Sequence, residues 1–178
     1  MLKRFEGDNG RRLLLESLRK SQLVNQDAKA AEKLAEVGKL EAYEKGKVLI
    51  KERETNNDVY FILSGEAQLS VKGNKFGTRK SNDVVGEMAA VDGTKRRSAT
   101  LTVTEDLVVL KVTESDFLET IEEFPALYKE LYIVQSDRLR ERTRFLEESN
   151  NNPVLFIGCS VEGLPLAEEI RLKLDHAD

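Results

Sequence analysis

The spacing of apolar positions changes along this chain, and each spacing predicts a different kind of element. Leu13, Leu14, Leu15 and Leu18 cluster on one side of a short helix. Asp27 is suited to cap a second helix carrying Ala31, Leu34 and Val37, and Gly38 is suited to stop it. These signals predict helix across residues 10–37. Residues 39–113 read as β structure. Val59, Phe61 and Leu63 alternate with Tyr60 and Ile62, as in a strand buried on both sides. Gly65 permits a turn, and Ala67, Leu69 and Val71 alternate in a further strand. Lys72-Gly73-Asn74 has hairpin-turn chemistry. Leu101 and Val103 alternate again, Glu105-Asp106 reads as a turn, and residues 107–112 as another strand. Short strands with turns at this spacing predict a roll, barrel or sandwich.

Beyond the strands the helical period returns. Thr113 or Ser115 can cap a helix ending near Phe124, and Pro125 suits the first turn of a longer one running to about Glu148. At ~1.5 Å per residue that helix spans roughly 36 Å. It carries two apolar stripes. Phe124, Leu127, Leu131 and Val134 form one; Tyr128, Tyr132, Leu139 and Leu146 approximate the other. One stripe can pack on the β structure, which leaves the second needing a partner. A second copy of the same helix is the simplest, so a homodimer through residues 125–148 is expected. After a linker, Ser149-Asn150-Asn151-Asn152-Pro153, residues 154–157 form a short apolar run typical of a buried parallel strand. A loop, Gly158-Cys159-Ser160, and an amphipathic helix over residues 164–174 follow. A single β-α unit cannot bury its own faces. The chain is therefore expected to be a truncated piece, organised as N-terminal helices (1–38), a central β domain with its long helix (39–148) and the start of an α/β domain (149–178).

Composition narrows the function. Of 178 residues, 40% are hydrophobic, enough for a packed core, and the net charge of −4 argues against a protein that coats nucleic acid. One cysteine, Cys159, excludes an intrachain disulfide, and with only one histidine, His176, a zinc site is improbable. Met1-Leu2-Lys3-Arg4 is followed by no apolar run. Neither a signal peptide nor a membrane span is expected, and the expected location is the cytoplasm.

The chemistry concentrates in Val85-Gly86-Glu87-Met88-Ala89-Ala90 and Arg97-Ser98-Ala99-Thr100-Leu101. A cyclic phosphate is a compact monoanion beside a ribose 2′-hydroxyl. Arg97 can offer it a forked pair of N–H donors. A helix starting near Gly86 would turn backbone N–H groups toward it, and the glycine lets the backbone approach closely. Glu87 can accept the 2′-hydroxyl proton and balance Arg97. Ala89, Ser98 and Ala99 leave room for the sugar-phosphate. The bland alternative is a solvated Glu–Arg pair beside a turn, which would contribute little.

The stretch resembles the phosphate-binding cassette of the cyclic-nucleotide-binding domain family, found in protein kinase A regulatory subunits and the catabolite activator protein. The resemblance extends upstream through Gly46, Val48, Leu49 and Asp58-Val59-Tyr60-Phe61-Ile62-Leu63-Ser64-Gly65-Glu66-Ala67, and downstream to the Phe124-Pro125 break. It implies an α+β fold: an antiparallel, jelly-roll-like β-roll with flanking N- and C-terminal helices. It implies a ligand site of Gly86, Glu87, Met88, Ala89, Arg97, Ser98 and Ala99. Arg97 is preferred over Arg96 because it keeps the register with Ser98-Ala99-Thr100. Arg53 departs from the pattern, standing where many members have glycine. The family reads the base partly from the long helix, which points to Arg138, Arg142 and Thr143, although an arginine-rich face beside Glu141, Glu147 and Glu148 can equally be a solvated one.

The C-terminal run, residues 154–170, resembles the first strand, loop and helix of TIR-like nucleotide-hydrolase domains. Together the two parts resemble the effectors of the Pycsar antiphage system, as does Arg4-Phe5-Glu6-Gly7-Asp8 followed by Gly10-Arg11-Arg12. That resemblance implies cyclic UMP or cyclic CMP as ligand, no further cofactor, and NAD as substrate of the longer parent only. The family's catalytic glutamate lies beyond this chain, so the chain alone is not expected to be an enzyme. Cys159 reads as a small buried residue, since no histidine is placed to activate it. The alternative is a cyclic-AMP-type sensor with another output. A transcription factor would need a helix-turn-helix after the long helix, where this chain has Pro153 and a buried-strand pattern.

Overall fold

The computed structural model describes residues 2–94, 96–149 and 160–174, with backbone alone at 146–149 and 174. The strand expected at residues 154–157, the linker residues 150–153, the loop residues Gly158 and Cys159, and His176 lie outside the described residues. The chain divides into two compact units, Met1–Thr143 and Arg144–Asp178.

The first unit opens with a 3₁₀ turn, Leu2–Phe5, and two helices, α1 (Gly7–Lys20) and α2 (Ala28–Val37). Asp27 caps α2 as its chemistry predicts, its Oδ1 accepting from the backbone N–H groups of Lys29 and Ala30 at 3.0 Å. Gly38 ends α2 as expected, in an extended conformation (φ −82°). A side chain there would meet Leu110, its Cβ lying 2.6 Å from the leucine Cγ. The glycine lets the helix end lie flat on the sheet.

The β-roll follows: β1 (Lys39–Tyr43), β2 (Val48–Ile50), β3 (Val59–Val71), β4 (Asn74–Lys80), β5 (Val84–Val85), α3 (Glu87–Val91) and β6 (Thr100–Val112). All pairings are antiparallel. β3 and β6 pair along most of their length, and each also borders two shorter strands. β6 carries β2 on its first half and β1 on its second; β3 carries β5 and then β4. The turns expected at Gly65 and at Glu105-Asp106 are instead irregularities within these two long strands. Gly65 takes φ +91°, the pairing slips on either side of it, and an added Cβ would sit 2.3 Å from the Asp106 carbonyl oxygen. The chain bends there without leaving the ladder. Lys72-Gly73 forms the expected two-residue hairpin, with φ +50° and +84°, the handedness that matches strand twist.

The alternation of β3 divides two cores. Val59, Phe61 and Leu63 face the helices, together with Val108, Leu110 and Val112 of β6. Tyr60, Ile62 and Leu69 face the roll interior with Leu101, Val103, Leu107 and Val109. α4 (Glu114–Glu123), capped by Thr113, precedes α5 (Ala126–Ser149). Leu127, Leu131 and Val134 of α5 are buried in the helix-side core, whereas Tyr128, Tyr132 and Leu139 are exposed.

The second unit, taken by itself, holds the end of α5, a 3₁₀ turn (Val161–Gly163) and α6 (Leu164–Leu174). Ser149, expected in the linker, is still helical. Among the described residues no helix is long and apolar enough to cross a membrane.

Candidate functional site

Gly86 sits between β5 and the single turn of α3, with φ +91°. A Cβ there would lie 2.6 Å from Arg97 Nη1 and 2.6 Å from the Asp58 carbonyl oxygen. Only glycine permits both the left-handed turn and the close approach of the guanidinium. Arg97 is 3% exposed. Its Nη1 donates to the Gly86 carbonyl at 3.0 Å, and its Nη2 to the Asp58 carbonyl at 2.6 Å and to Asn56 Oδ1. Among the described residues its Nε is buried without a hydrogen-bond partner. Such an orphaned donor on a cation is costly unless an acceptor arrives. Burial pulls the Arg97 pKa down, while Tyr60, Asp58 and Glu87 push it back up. The arginine backbone is fixed as well: its N–H donates to the Glu54 carbonyl at 2.9 Å, and its carbonyl accepts from the Arg53 N–H at 2.8 Å. Arg96, its neighbour, is exposed and reaches back toward the Arg53 carbonyl at 3.5 Å.

Glu87 is also 3% exposed. Burial raises its pKa, and the charges of Arg138, Arg79 and Arg97 oppose that. Among the described residues its ion-pair partner is Arg138, whose Nε lies 3.7 Å from Oε1, rather than the expected Arg97. The reason is geometric, since the carbonyls of Gly86 and Asp58 and the Asn56 side chain already hold the Arg97 fork.

These groups line one cleft of about 530 Å³, counting the space at its mouth. Gly86, Glu87, Met88, Ala89, Arg97, Ser98 and Ala99 all border it, with Ile50, Leu69, Phe76 and Leu101 as an apolar wall. α5 forms the facing side through Arg138, Glu141 and Arg142. Arg138 Nη2 donates to the Val84 carbonyl at 3.1 Å, and Arg142 Nη2 to Ser98 Oγ at 2.8 Å. Arg138 therefore sits on the cassette beside Glu87. Thr143 does not border the cleft; it is exposed, and its hydroxyl donates to the Leu139 carbonyl one turn back at 3.1 Å.

A second charged pair, which no local sequence pattern signals, also borders the cleft. Arg79 of β4, 5% exposed, meets Glu141 of α5 through two bonds, Nη1 to Oε1 at 3.0 Å and Nη2 to Oε2 at 2.5 Å. The partners lie 62 residues apart, and no local pattern links them. Gly77 was the available hint, because a Cβ there would lie 2.4 Å from Glu141 Oε1. Among the described residues no group of His, Cys, Asp and Glu could hold a metal ion.

Residues 40–124 match the profile of the cyclic nucleotide-binding domain. Across 176 residues, 99% of this chain, the sequence is 40% identical to the Pycsar effector protein PaPycTIR of Pseudomonas aeruginosa, of which it covers 57%. It is 33% identical over the same share to the Pycsar effector protein XpPycTIR of Xanthomonas perforans, of which it covers 58%. The chain thus spans somewhat over half the length of these relatives. The fold is that of the Thermus thermophilus catabolite activator protein, with a TM-score of 0.62 at 23% identity, over 71% of this chain and 62% of that one. The cassette on its bulged roll and the profile that spans it agree: residues 40–124 of the chain form a cyclic nucleotide-binding domain.

Proposed function

We propose that the cleft binds a 3′,5′-cyclic nucleoside monophosphate, a cyclic pyrimidine such as cyclic UMP or cyclic CMP, and that α5 reports the binding. The observation that carries this reading is Arg97: a buried guanidinium with an unpartnered Nε beside Glu87 and Ser98. A cyclic phosphate supplies the missing acceptor and the compensating charge. Ser98 and the backbone at Gly86 and Ala89 border the same anion, Glu87 takes the ribose 2′-hydroxyl, and Arg142 reaches over from α5. Arg138 positions Glu87 in this scheme. Thr143 reads the base only if the distal part of α5 turns toward the cleft.

Signalling then follows from differential affinity, because the nucleotide favours whichever arrangement of cassette and α5 it binds better. In the longer protein this arrangement controls a TIR-like domain that destroys NAD during antiphage defence in the cytoplasm. The likeness to Pycsar effectors along the chain supports that assignment. The exposed stripe of Tyr128, Tyr132 and Leu139 on α5 supports a homodimer. Neither nucleic acid nor a membrane is a partner in this reading.

Arg97→Ala tests it. Truncating a desolvated partner of a charged ligand costs about 2–5 kcal/mol of binding. Equilibrium dialysis with labelled cyclic UMP and cyclic CMP should register that loss while the variant retains wild-type circular dichroism. Undiminished affinity would show that the phosphate is held elsewhere.

A further inference from the structure

We propose that Arg79, held by Glu141, reads the edge of the ligand's base and sets base preference; this rests on the cyclic-nucleotide reading above. Among the described residues the buried charged groups are Arg79, Glu87 and Arg97, and all three line the one cleft. Phosphate and ribose account for Arg97 and Glu87, which leaves Arg79 as the buried charge with no assigned ligand contact. Arg79 is nearly as buried as the other two, 5% exposed against 3% for each. Glu141 is only partly buried, and desolvating Arg79 offsets part of its attraction to that carboxylate, so the pair is a poor device for stability alone.

Along β3, the cassette strand pairs at Tyr60 with Val85, whereas Arg79 pairs farther on at Ala67. The apolar wall beside it, Leu69 and Phe76, offers a surface to the face of a planar ring. The hydrogen-bond count leaves capacity for an edge. A guanidinium has five N–H donors. Those of Arg79 go to the Thr78 carbonyl at 2.8 Å and to the two Glu141 oxygens, leaving two of five. Each Glu141 oxygen retains a further lone pair. The pair therefore presents a donor beside an acceptor, which is the complement of a base edge carrying an acceptor beside an N–H.

The test is calorimetric titration of the whole chain with cyclic UMP, CMP, GMP and AMP, for wild type, Arg79→Lys and Glu141→Gln. Lysine keeps a charge against Glu141 but loses the fork, and glutamine keeps the shape but gains a donor; thermal unfolding checks that both variants fold. The wild type should show a clear spread of affinities across the four bases. In both variants the spread should narrow by about tenfold or more, the scale of a bidentate base contact, with the weakest ligand nearly unaffected. A common loss across all four ligands would make the pair a helix latch and overturn the proposal, as would variant ratios equal to those of the wild type, or a wild type that does not distinguish bases. A wild type that binds none of them would overturn the reading beneath it, and this inference with it.

Discussion

Arg53 carries a conformational cost that bears on Arg97. It holds φ +71°, a left-handed conformation, while its N–H donates to the Arg97 carbonyl. That conformation costs a non-glycine residue roughly 1–2 kcal/mol. Arg53→Gly relieves it but loosens the unfolded chain, so the expected net gain is about 0.5–1 kcal/mol, read by urea unfolding. A loss of stability would mean that the arginine side chain packs usefully. Glu87 sets a second residue-level expectation. Burial raises its pKa above the ordinary 4.5, so its contribution to stability is fully present below about that pH and is lost as pH climbs through the raised value. Glu87→Gln should flatten that decline toward neutral pH; parallel stability–pH profiles for the two proteins would contradict it. That Glu87 and Arg97 border one cleft was legible in the sequence, because both lie in one short motif that opens on the Gly86 turn. Arg79 and Glu141 were not, because only the packing of α5 over β4 makes them neighbours.

At the scale of elements, the bends in β3 and β6 shape the roll. Gly65→Ala adds a Cβ against the Asp106 backbone at a position with φ +91°. The strain and the clash together should cost about 3 kcal/mol or more. A midpoint unchanged in urea would show that the ladder can yield there. This element also marks where reading the sequence fell short. Glycine between two alternating runs is the signal of a turn, and also of a bulge that keeps both runs in one strand. Local residues do not distinguish them; the partner across the ladder does. The caps, by contrast, were legible, since Asp27 and Thr113 act on N–H groups within three residues of themselves. The stripe Leu127, Leu131, Val134 was legible too, because burial on a helix follows its own period.

For the whole molecule, β3 and β6 serve two cores at once. The roll core holds the cleft, and the helix-side core carries α5 to the cleft's open face. Any ligand that shifts the cassette therefore meets α5 directly through Arg138 and Arg142. The exposed α5 stripe gives an assembly-level expectation: Tyr132→Glu should turn a dimer into a monomer by light scattering at tens of micromolar. A wild type already monomeric there would remove the dimer from the account. The central claim is that this cleft takes a cyclic nucleotide, and calorimetric titration of the wild-type chain with cyclic UMP and cyclic CMP tests it most directly. The account predicts saturable one-site binding of at least one of them; no binding of either, in a chain shown to be folded, would contradict it.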